Sequence, residues 1–177
     1  MIKKFNKYLS YKNNFLYLEE TCLESIKSKF MTPIFCYSLS EIYDNVIDLK
    51  KLFTKIKPMI CYAVKANNHN QILSLLSKSG CGADVVSKGE LQKSIKNGIT
   101  PDKIVFSGVG KTTDEIKYAL KKKIKQLNVE SEEELEEIAE IAKEEKKNVN
   151  ICIRVNPDVD PKTHYKISTG RSEDKFG

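Results

Sequence analysis

Short apolar runs alternate with longer amphipathic segments from residue 59 onward. The short runs predict buried strands, and the segments between them have the three-to-four-residue apolar spacing of helices. The strands are expected over residues 59–66, 83–87, 104–107, 126–130 and 150–156. Their first residues lie 24, 21, 22 and 24 positions apart, so the strand–helix unit repeats almost regularly.

This repeat predicts a parallel sheet and, at this spacing, an α/β barrel of the (β/α)8 TIM type. A doubly wound open sheet is the alternative. Such a sheet normally has a glycine-rich turn after its first strand, and residues 65–70 contain no glycine. A closed barrel needs eight strands, so we expect a barrel truncated after about five strands and a chain that is the N-terminal portion of a longer protein.

Helix starts and ends are also encoded locally. Ser or Thr followed three residues later by Glu is a capping box, and Gly commonly follows the last residue of a helix. Residues 107–110, which are glycine-rich at a strand end, are expected to form a tight turn. The predicted capping boxes begin at Ser38, Ser87, Thr112 and Ser131, and the predicted helix ends are at Gly80 and Gly98.

Residues 1–37 do not follow the strand–helix repeat. Apolar runs at residues 15–18 and 33–37 predict two short strands, and residues 22–29 between them predict a helix. This part of the chain is therefore expected to be organised separately from the barrel.

Composition and charge exclude several classes of protein. No apolar run approaches the roughly 18 residues of a membrane-spanning helix, and no signal-peptide pattern follows the basic start. Five scattered cysteines and two histidines argue against a metal site and favour reduced thiols in the cytoplasm. The net charge of +6 comes almost wholly from lysines, since Arg154 and Arg171 are the only arginines. A solvated surface explains this charge better than nucleic-acid binding.

Lys65 stands at the end of the first predicted strand. Strand alternation places it on one face with Cys61 and Ala63, whose side chains are small. An amine held in a cavity at a strand end suits Schiff-base chemistry, because partial burial disfavours the ammonium form. A lysine just past a strand is more often a solvated surface residue, so from the strand alone both interpretations stay open.

Four motifs occur in order along the chain: Tyr62-Ala63-Val64-Lys65-Ala66-Asn67, Gly82-Ala83-Asp84-Val85-Val86-Ser87, Asn128-Val129-Glu130-Ser131 and Arg154-Val155-Asn156-Pro157. Together they resemble the family of ornithine, diaminopimelate and arginine decarboxylases, and the resemblance covers about residues 14–177. The first motif resembles the segment to which these enzymes attach pyridoxal phosphate. Within the family, residues 156–170 and 175–177 resemble the diaminopimelate branch.

The resemblance implies an enzyme that decarboxylates meso-2,6-diaminopimelate to L-lysine and CO2, with pyridoxal 5'-phosphate attached to Lys65. It also implies a homodimer in the full-length protein. Residues 1–37 would contribute strands to a mostly absent β-domain, residues 38–177 would form the partial barrel, and the chain alone would be inactive. The alternatives are a decarboxylase of another basic amino acid or polyamine precursor, and a non-catalytic cofactor-binding or dimerisation fragment.

Asp84 and Arg154 are the other candidates for cofactor binding. A charge directed into a barrel is costly unless it is paired or bound to a ligand, so an outward position or a structural ion pair is the plainer interpretation. The resemblance favours the inward position near the cofactor, where the two charges would also neutralise each other. It further implies that His164 lines the substrate site and that Lys175 lies near the dimer interface. His69 is expected on the surface.

Overall fold

The computed structural model describes residues 3–4, 7–159 and 162, and the chain divides into two compact units, residues 1–57 and 58–177. The boundary expected from the sequence, after residue 37, concerns the domains of a longer protein and stays a prediction. In the described part of the chain, no helix is long and apolar enough to cross a membrane.

The first unit contains an antiparallel sheet and two helices. Four strands pair in sequence order, and both the predicted strand at residues 15–18 and the predicted helix near residues 22–29 are confirmed. The elements are β1 (Lys3–Lys4), β2 (Leu9–Lys12), β3 (Phe15–Leu18), β4 (Thr21–Cys22), α1 (Leu23–Lys27) and α2 (Leu39–Leu52).

The strand predicted at residues 33–37 is wrong, because the structure has no strand in that segment. Pro33 has no N–H to give to a ladder, and Phe35 and Tyr37 are exposed rather than packed. An apolar run forms a strand only where a partner strand and a covering layer meet it. The described residues of the first unit supply neither at this segment.

The second unit is a parallel sheet with helices between its strands. All five predicted strands are present, and they pair in the order β5-β6-β7-β8-β9, so strands that are neighbours in sequence are neighbours in the sheet. The elements are β5 (Cys61–Ala63), α3 (Asn70–Lys78), β6 (Gly82–Val85), α4 (Lys88–Lys96), β7 (Ile104–Phe106), α5 (Thr113–Lys122), β8 (Gln126–Val129), α6 (Glu132–Glu144) and β9 (Ile151–Ile153).

The core of this unit lies between the sheet and the helices. Alternate strand residues point toward the helices, and Ala83, Val85 and Phe106 among them are fully buried. Helix residues such as Leu73 and Ile116 complete the same apolar cluster. The opposite face of the sheet carries mostly small or polar side chains, namely Cys61, Ala63, Asp84, Val105, Gln126, Asn128 and Cys152.

The predicted N-cap residues are confirmed, but the return bond of the capping box is not formed in every case. Ser38, Ser87, Thr112 and Ser131 each accept a hydrogen bond from the N–H of the glutamate three residues later. Within the second unit, only Glu115 returns the bond to its own N-cap residue.

The other two glutamates of the second unit reach one residue further back. Glu90 accepts from the N–H of Val86, and Glu134 from that of Glu130. These two carboxylates therefore tie the start of a helix to the end of the preceding strand. Gly80 and Gly98 follow α3 and α4 with φ of 77° and 95°, as expected for residues that end a helix.

Lys111 is a buried cation that connects three segments of the second unit. Its side chain is 1% exposed, and its Nζ donates to the carbonyl oxygens of Gly108 and Asn128 at 2.8 and 2.6 Å. The same Nζ lies 2.5 Å from Oε1 of Glu134 on α6. Removing one partner of a buried ion pair leaves the other charge uncompensated, so this lysine is a structural requirement.

We expect Lys111→Met in the full-length protein to lower the free energy of unfolding by about 3–5 kcal/mol, because Glu134 would lose its cation. Lys117→Met is the matched control, since Lys117 pairs with Glu144 at 3.3 Å in an exposed position. Such a pair contributes roughly 0–1 kcal/mol. Urea unfolding measures both, and equal losses in the two variants would contradict the structural role of Lys111.

Candidate active site at the carboxyl edge of the sheet

The carboxyl ends of the five parallel strands meet at one edge of the sheet, the usual position of an active site in α/β barrels. Polar side chains on the face away from the helices are hydrogen-bonded there across three strands. Ser107 Oγ donates to Asp84 Oδ1 at 2.6 Å, and Asn128 Nδ2 donates to Ser107 Oγ at 2.9 Å. The row is extended by Gln126 Nε2, which donates to Asn128 Oδ1 at 2.9 Å.

Lys65 lies at this edge, but not on a strand as the sequence predicted. Strand β5 ends at Ala63, and residues Val64–Ala66 form a short 3-10 helix. The buried Val64 anchors the turn in the core, and Tyr62 donates from its hydroxyl to the carbonyl oxygen of Asn67 at 3.1 Å. Lys65 is exposed, so its amine is accessible and the expected partial burial is not found in this structure.

Asp84 is on the same face as Ala63, its neighbour in the register of β5 and β6. Asp84 is half-buried, and Cys61 lies on the same face two residues before Ala63. Burial raises the pKa of the Cys61 thiol, and the charge of Asp84 raises it further. A raised pKa favours the neutral thiol, which is less nucleophilic than the thiolate.

Arg154 pairs with Glu130, and the expected neutralisation of Arg154 by Asp84 is wrong. Arg154 Nη1 lies 3.2 Å from Glu130 Oε2, while Asp84 accepts from Ser107. The register explains this pairing, because Val129 faces Ile153 and the residues that follow them are adjacent. Asp84 lies on β6, three strands away from β9, which is roughly 14 Å along the sheet.

Glu130 is the site residue that sequence reasoning missed. Its side chain is 2% exposed, and Oε1 accepts the N–H of Gly108 at 2.9 Å. A charged residue directly after an apolar strand, inside a family motif, was the available signal. Gly108 has φ of 116°, a conformation that favours glycine, and a turn follows at residues 109–110, so the tight turn expected over residues 107–110 is confirmed.

The two histidines differ in what the structure describes. His69 is exposed, and its Nδ1 accepts from the N–H of Gln71 at 3.3 Å, so it caps α3 on the surface as expected. His164 and Lys175 lie outside the described residues. Their assignment to the substrate site and to the dimer interface stays a prediction.

A parallel α/β sheet with polar side chains at its carboxyl edge is typical of α/β-barrel enzymes, and comparison with known families agrees with this class. Residues 39–177 match the pyridoxal-binding domain of the pyridoxal-dependent decarboxylases. The chain belongs to this family, whose cofactor is pyridoxal phosphate.

Individual relatives show which members of the family the chain is similar to. The chain is 44% identical over 177 residues to diaminopimelate decarboxylase of Aquifex aeolicus and covers 42% of that protein. The structure of the Helicobacter pylori diaminopimelate decarboxylase complexed with L-lysine is 47% identical, with a TM-score of 0.83 over 88% of this chain and 39% of that one. An arginine decarboxylase of Paramecium bursaria Chlorella virus is 28% identical, with a TM-score of 0.59 over 69% of this chain and 31% of that one.

The chain thus spans about two fifths of the length of the curated relatives it matches. The predicted fold class is confirmed: the second unit, with its five parallel strands, corresponds to part of the α/β barrel of these decarboxylases.

The described residues fit pyridoxal phosphate chemically. Its aldehyde needs a primary amine, and the Lys65 amine is exposed at the edge of the sheet. Its phosphate needs a cation or N–H donors, and the side chain of Arg154, which ends in a guanidinium, is 37% exposed at the same edge. Ala63, the register neighbour of Asp84, has a side chain too small to obstruct a planar ring on this face of the sheet.

We expect Asp84 to be energetically coupled to Ser107 and independent of Arg154. In the full-length protein, Asp84→Ala and Ser107→Ala should show an interaction energy of about 0.5–3 kcal/mol, because each substitution removes one partner of the shared hydrogen bond. Asp84→Asn and Arg154→Gln should add within about 0.5 kcal/mol, because they share no partner across the sheet. Urea unfolding of the single and double variants measures both, and strong coupling of Asp84 to Arg154 would contradict the pairing seen here.

Proposed function

We propose that the protein to which this chain belongs decarboxylates meso-2,6-diaminopimelate to L-lysine, with pyridoxal phosphate attached to Lys65. The observation that carries the proposal is an exposed primary amine at the carboxyl edge of a parallel sheet, in a chain of the pyridoxal-dependent decarboxylase family. The degree of similarity to diaminopimelate decarboxylases supports the choice of substrate.

Lys65 has a role that no other type of side chain at this edge can perform. Covalent holding of an aldehyde cofactor requires a primary amine, which a guanidinium or a carboxylate cannot replace. The 3-10 helix gives the lysine a fixed origin, because the buried Val64 precedes it, while the amine itself stays accessible. When bound, pyridoxal phosphate supplies an electron sink for the electron pair left behind as the carboxylate departs as CO2.

Asp84 and Arg154 are proposed to contact the cofactor from the strand side. Asp84 is oriented by the Ser107 hydroxyl, so its second oxygen is available to a donor on the cofactor. Arg154 brings a positive charge to the edge that carries the Lys65 amine. His164 is proposed to line the substrate site.

The broader assignments for the whole protein are also proposals. A homodimer and a cytoplasmic location are properties we infer from the resemblance to the family. We further propose that residues 1–37 belong to a second, β-rich domain, for which the antiparallel sheet β1–β4 offers support. A decarboxylase of another basic amino acid or polyamine precursor is the second candidate function, and the similarity to the viral arginine decarboxylase favours it.

Lys65→Ala in the full-length protein should abolish decarboxylation and leave no pyridoxyl adduct after borohydride reduction, because no amine remains to hold the aldehyde. In the unsubstituted protein, peptide mass spectrometry after reduction should find the adduct on Lys65. Lys78→Ala is the control, since Lys78 is an exposed lysine at the end of α3 and should keep both properties. An adduct on a different lysine would refute the assignment.

CO2 release should distinguish the two candidate substrates. With full-length protein and added pyridoxal phosphate, kcat/KM for meso-diaminopimelate should exceed that for arginine, ornithine and lysine by at least about tenfold, because a site that pairs with a second amino-acid group rejects analogues lacking it. A higher kcat/KM for arginine, ornithine or lysine would refute meso-diaminopimelate as the substrate. The attachment of the cofactor to Lys65 is tested separately by the adduct measurement.

A further inference from the structure

We propose that Glu130 is a positioning residue, which holds the guanidinium of Arg154 at the carboxyl edge of the sheet so that it can bind an anionic oxygen of the cofactor or substrate. The inference rests on the proposed function, because it needs a ligand at that edge. It concerns Glu130, which would act only through Arg154.

Glu130 is a buried carboxylate with a partner for each of its two oxygens. The side chain is 2% exposed, and both oxygens are used: Oε1 accepts from Gly108 N at 2.9 Å, and Oε2 lies 3.2 Å from Arg154 Nη1. A buried carboxylate is costly unless it is paired and hydrogen-bonded. The carboxylate meets this requirement by serving two partners at once, the N–H of the turn at Gly108 and the guanidinium of Arg154.

Glu130 is also fixed from its backbone side. Its N–H donates to Glu134 Oε2 at 2.7 Å, and that glutamate is held by Lys111. Lys111 in turn binds the carbonyl oxygen of Gly108, whose N–H is bound by Glu130. The carboxylate that receives Arg154 therefore has little freedom to move.

Arg154 gains most from such a fixed partner. Its backbone N–H donates to the carbonyl oxygen of Val129 at 2.9 Å, so its origin lies next to β8, but a long side chain has many rotamers. The contact with Glu130 restricts those rotamers before a ligand arrives, while 37% of the side chain stays accessible. Preorganisation of this kind increases affinity by lowering the ordering cost of binding.

The ligand chemistry is an anionic oxygen, since a guanidinium binds phosphate and carboxylate groups through charge-assisted hydrogen bonds. Two sources offer it at this site: the phosphate of pyridoxal phosphate and a carboxylate of the amino-acid substrate. Titration of the cofactor-free protein with pyridoxal phosphate reports the first source. The KM for meso-diaminopimelate at saturating cofactor reports the second.

The test compares Glu130→Gln, Arg154→Gln and the double variant in full-length protein. We expect Glu130→Gln to raise either the Kd for pyridoxal phosphate or the KM for meso-diaminopimelate about tenfold or more. A hydrogen bond to a charged group typically changes an equilibrium constant by at least about tenfold. The double variant should be no worse than Arg154→Gln alone, because Glu130 acts through Arg154. Glu144→Gln, which alters the exposed pair with Lys117, should leave both constants unchanged.

Unfolding measurements separate positioning from a purely structural role. If Glu130→Gln lowers stability but leaves the Kd and KM at their original values, or if the two substitutions multiply in their effect on those constants, the inference is overturned. Glu130→Asp keeps the charge with a shorter reach, and an effect smaller than that of Glu130→Gln supports the inference even if the glutamine variant folds poorly. Failure of the proposed function would appear separately, as the absence of a Lys65 adduct in the unsubstituted protein.

Discussion

Side-chain alternation along parallel strands is the constraint on which the second unit depends. One face of β5–β9 carries Ala83, Val85, Phe106 and other buried side chains that pack against the helices. The other face is left to small and polar side chains, because it is not covered by those helices. Since all five strands run in the same direction, the ends where Lys65 and Arg154 lie fall on a single edge. Because the apolar side chains are buried on one face, the polar side chains of the candidate site are left together on the other.

The carboxyl edge is then stiffened by charges rather than by apolar packing. Lys111, Glu134 and Glu130 link the turn after β7, the end of β8 and the start of α6. Each member is largely buried, so each bond is made in a low-dielectric environment where an unpaired group would be costly. A site that relies on loops alone would be less well defined, and here the loops are fastened to the strands they follow.

The sequence predicts elements well where the signal is local. The five strands follow from apolar runs, and the helix starts follow from Ser or Thr three residues before Glu. The pairing of Arg154 with Glu130 could not be predicted in this way, because it depends on the register of β8 and β9. The same limitation explains the 33–37 segment, whose apolar residues look like a strand but find no partner in the described part of the first unit.

The position of Lys65 could be predicted from the sequence, but its backbone conformation could not. Its presence at the end of β5 was predictable from the polar residues that follow, but the change from strand to 3-10 helix at Val64 was not. An apolar residue such as Val64 is compatible with either conformation, and burial of its side chain in the core decides between them. Family motifs supplied what the backbone pattern could not, namely which lysine to select among many on a lysine-rich chain.

The strand order has a consequence for how the second unit assembles. Each ladder of β5–β9 joins residues that are only 21 or 24 positions apart in the chain, as in Cys61 with Gly82, Ala83 with Ile104, Val105 with Gln126 and Leu127 with Ile151. The entropy lost on closing a loop depends weakly on loop length, so the four closures have nearly equal costs. Every ladder of β5–β9 therefore joins strands that are consecutive in the chain, so this sheet can form without contacts between remote segments.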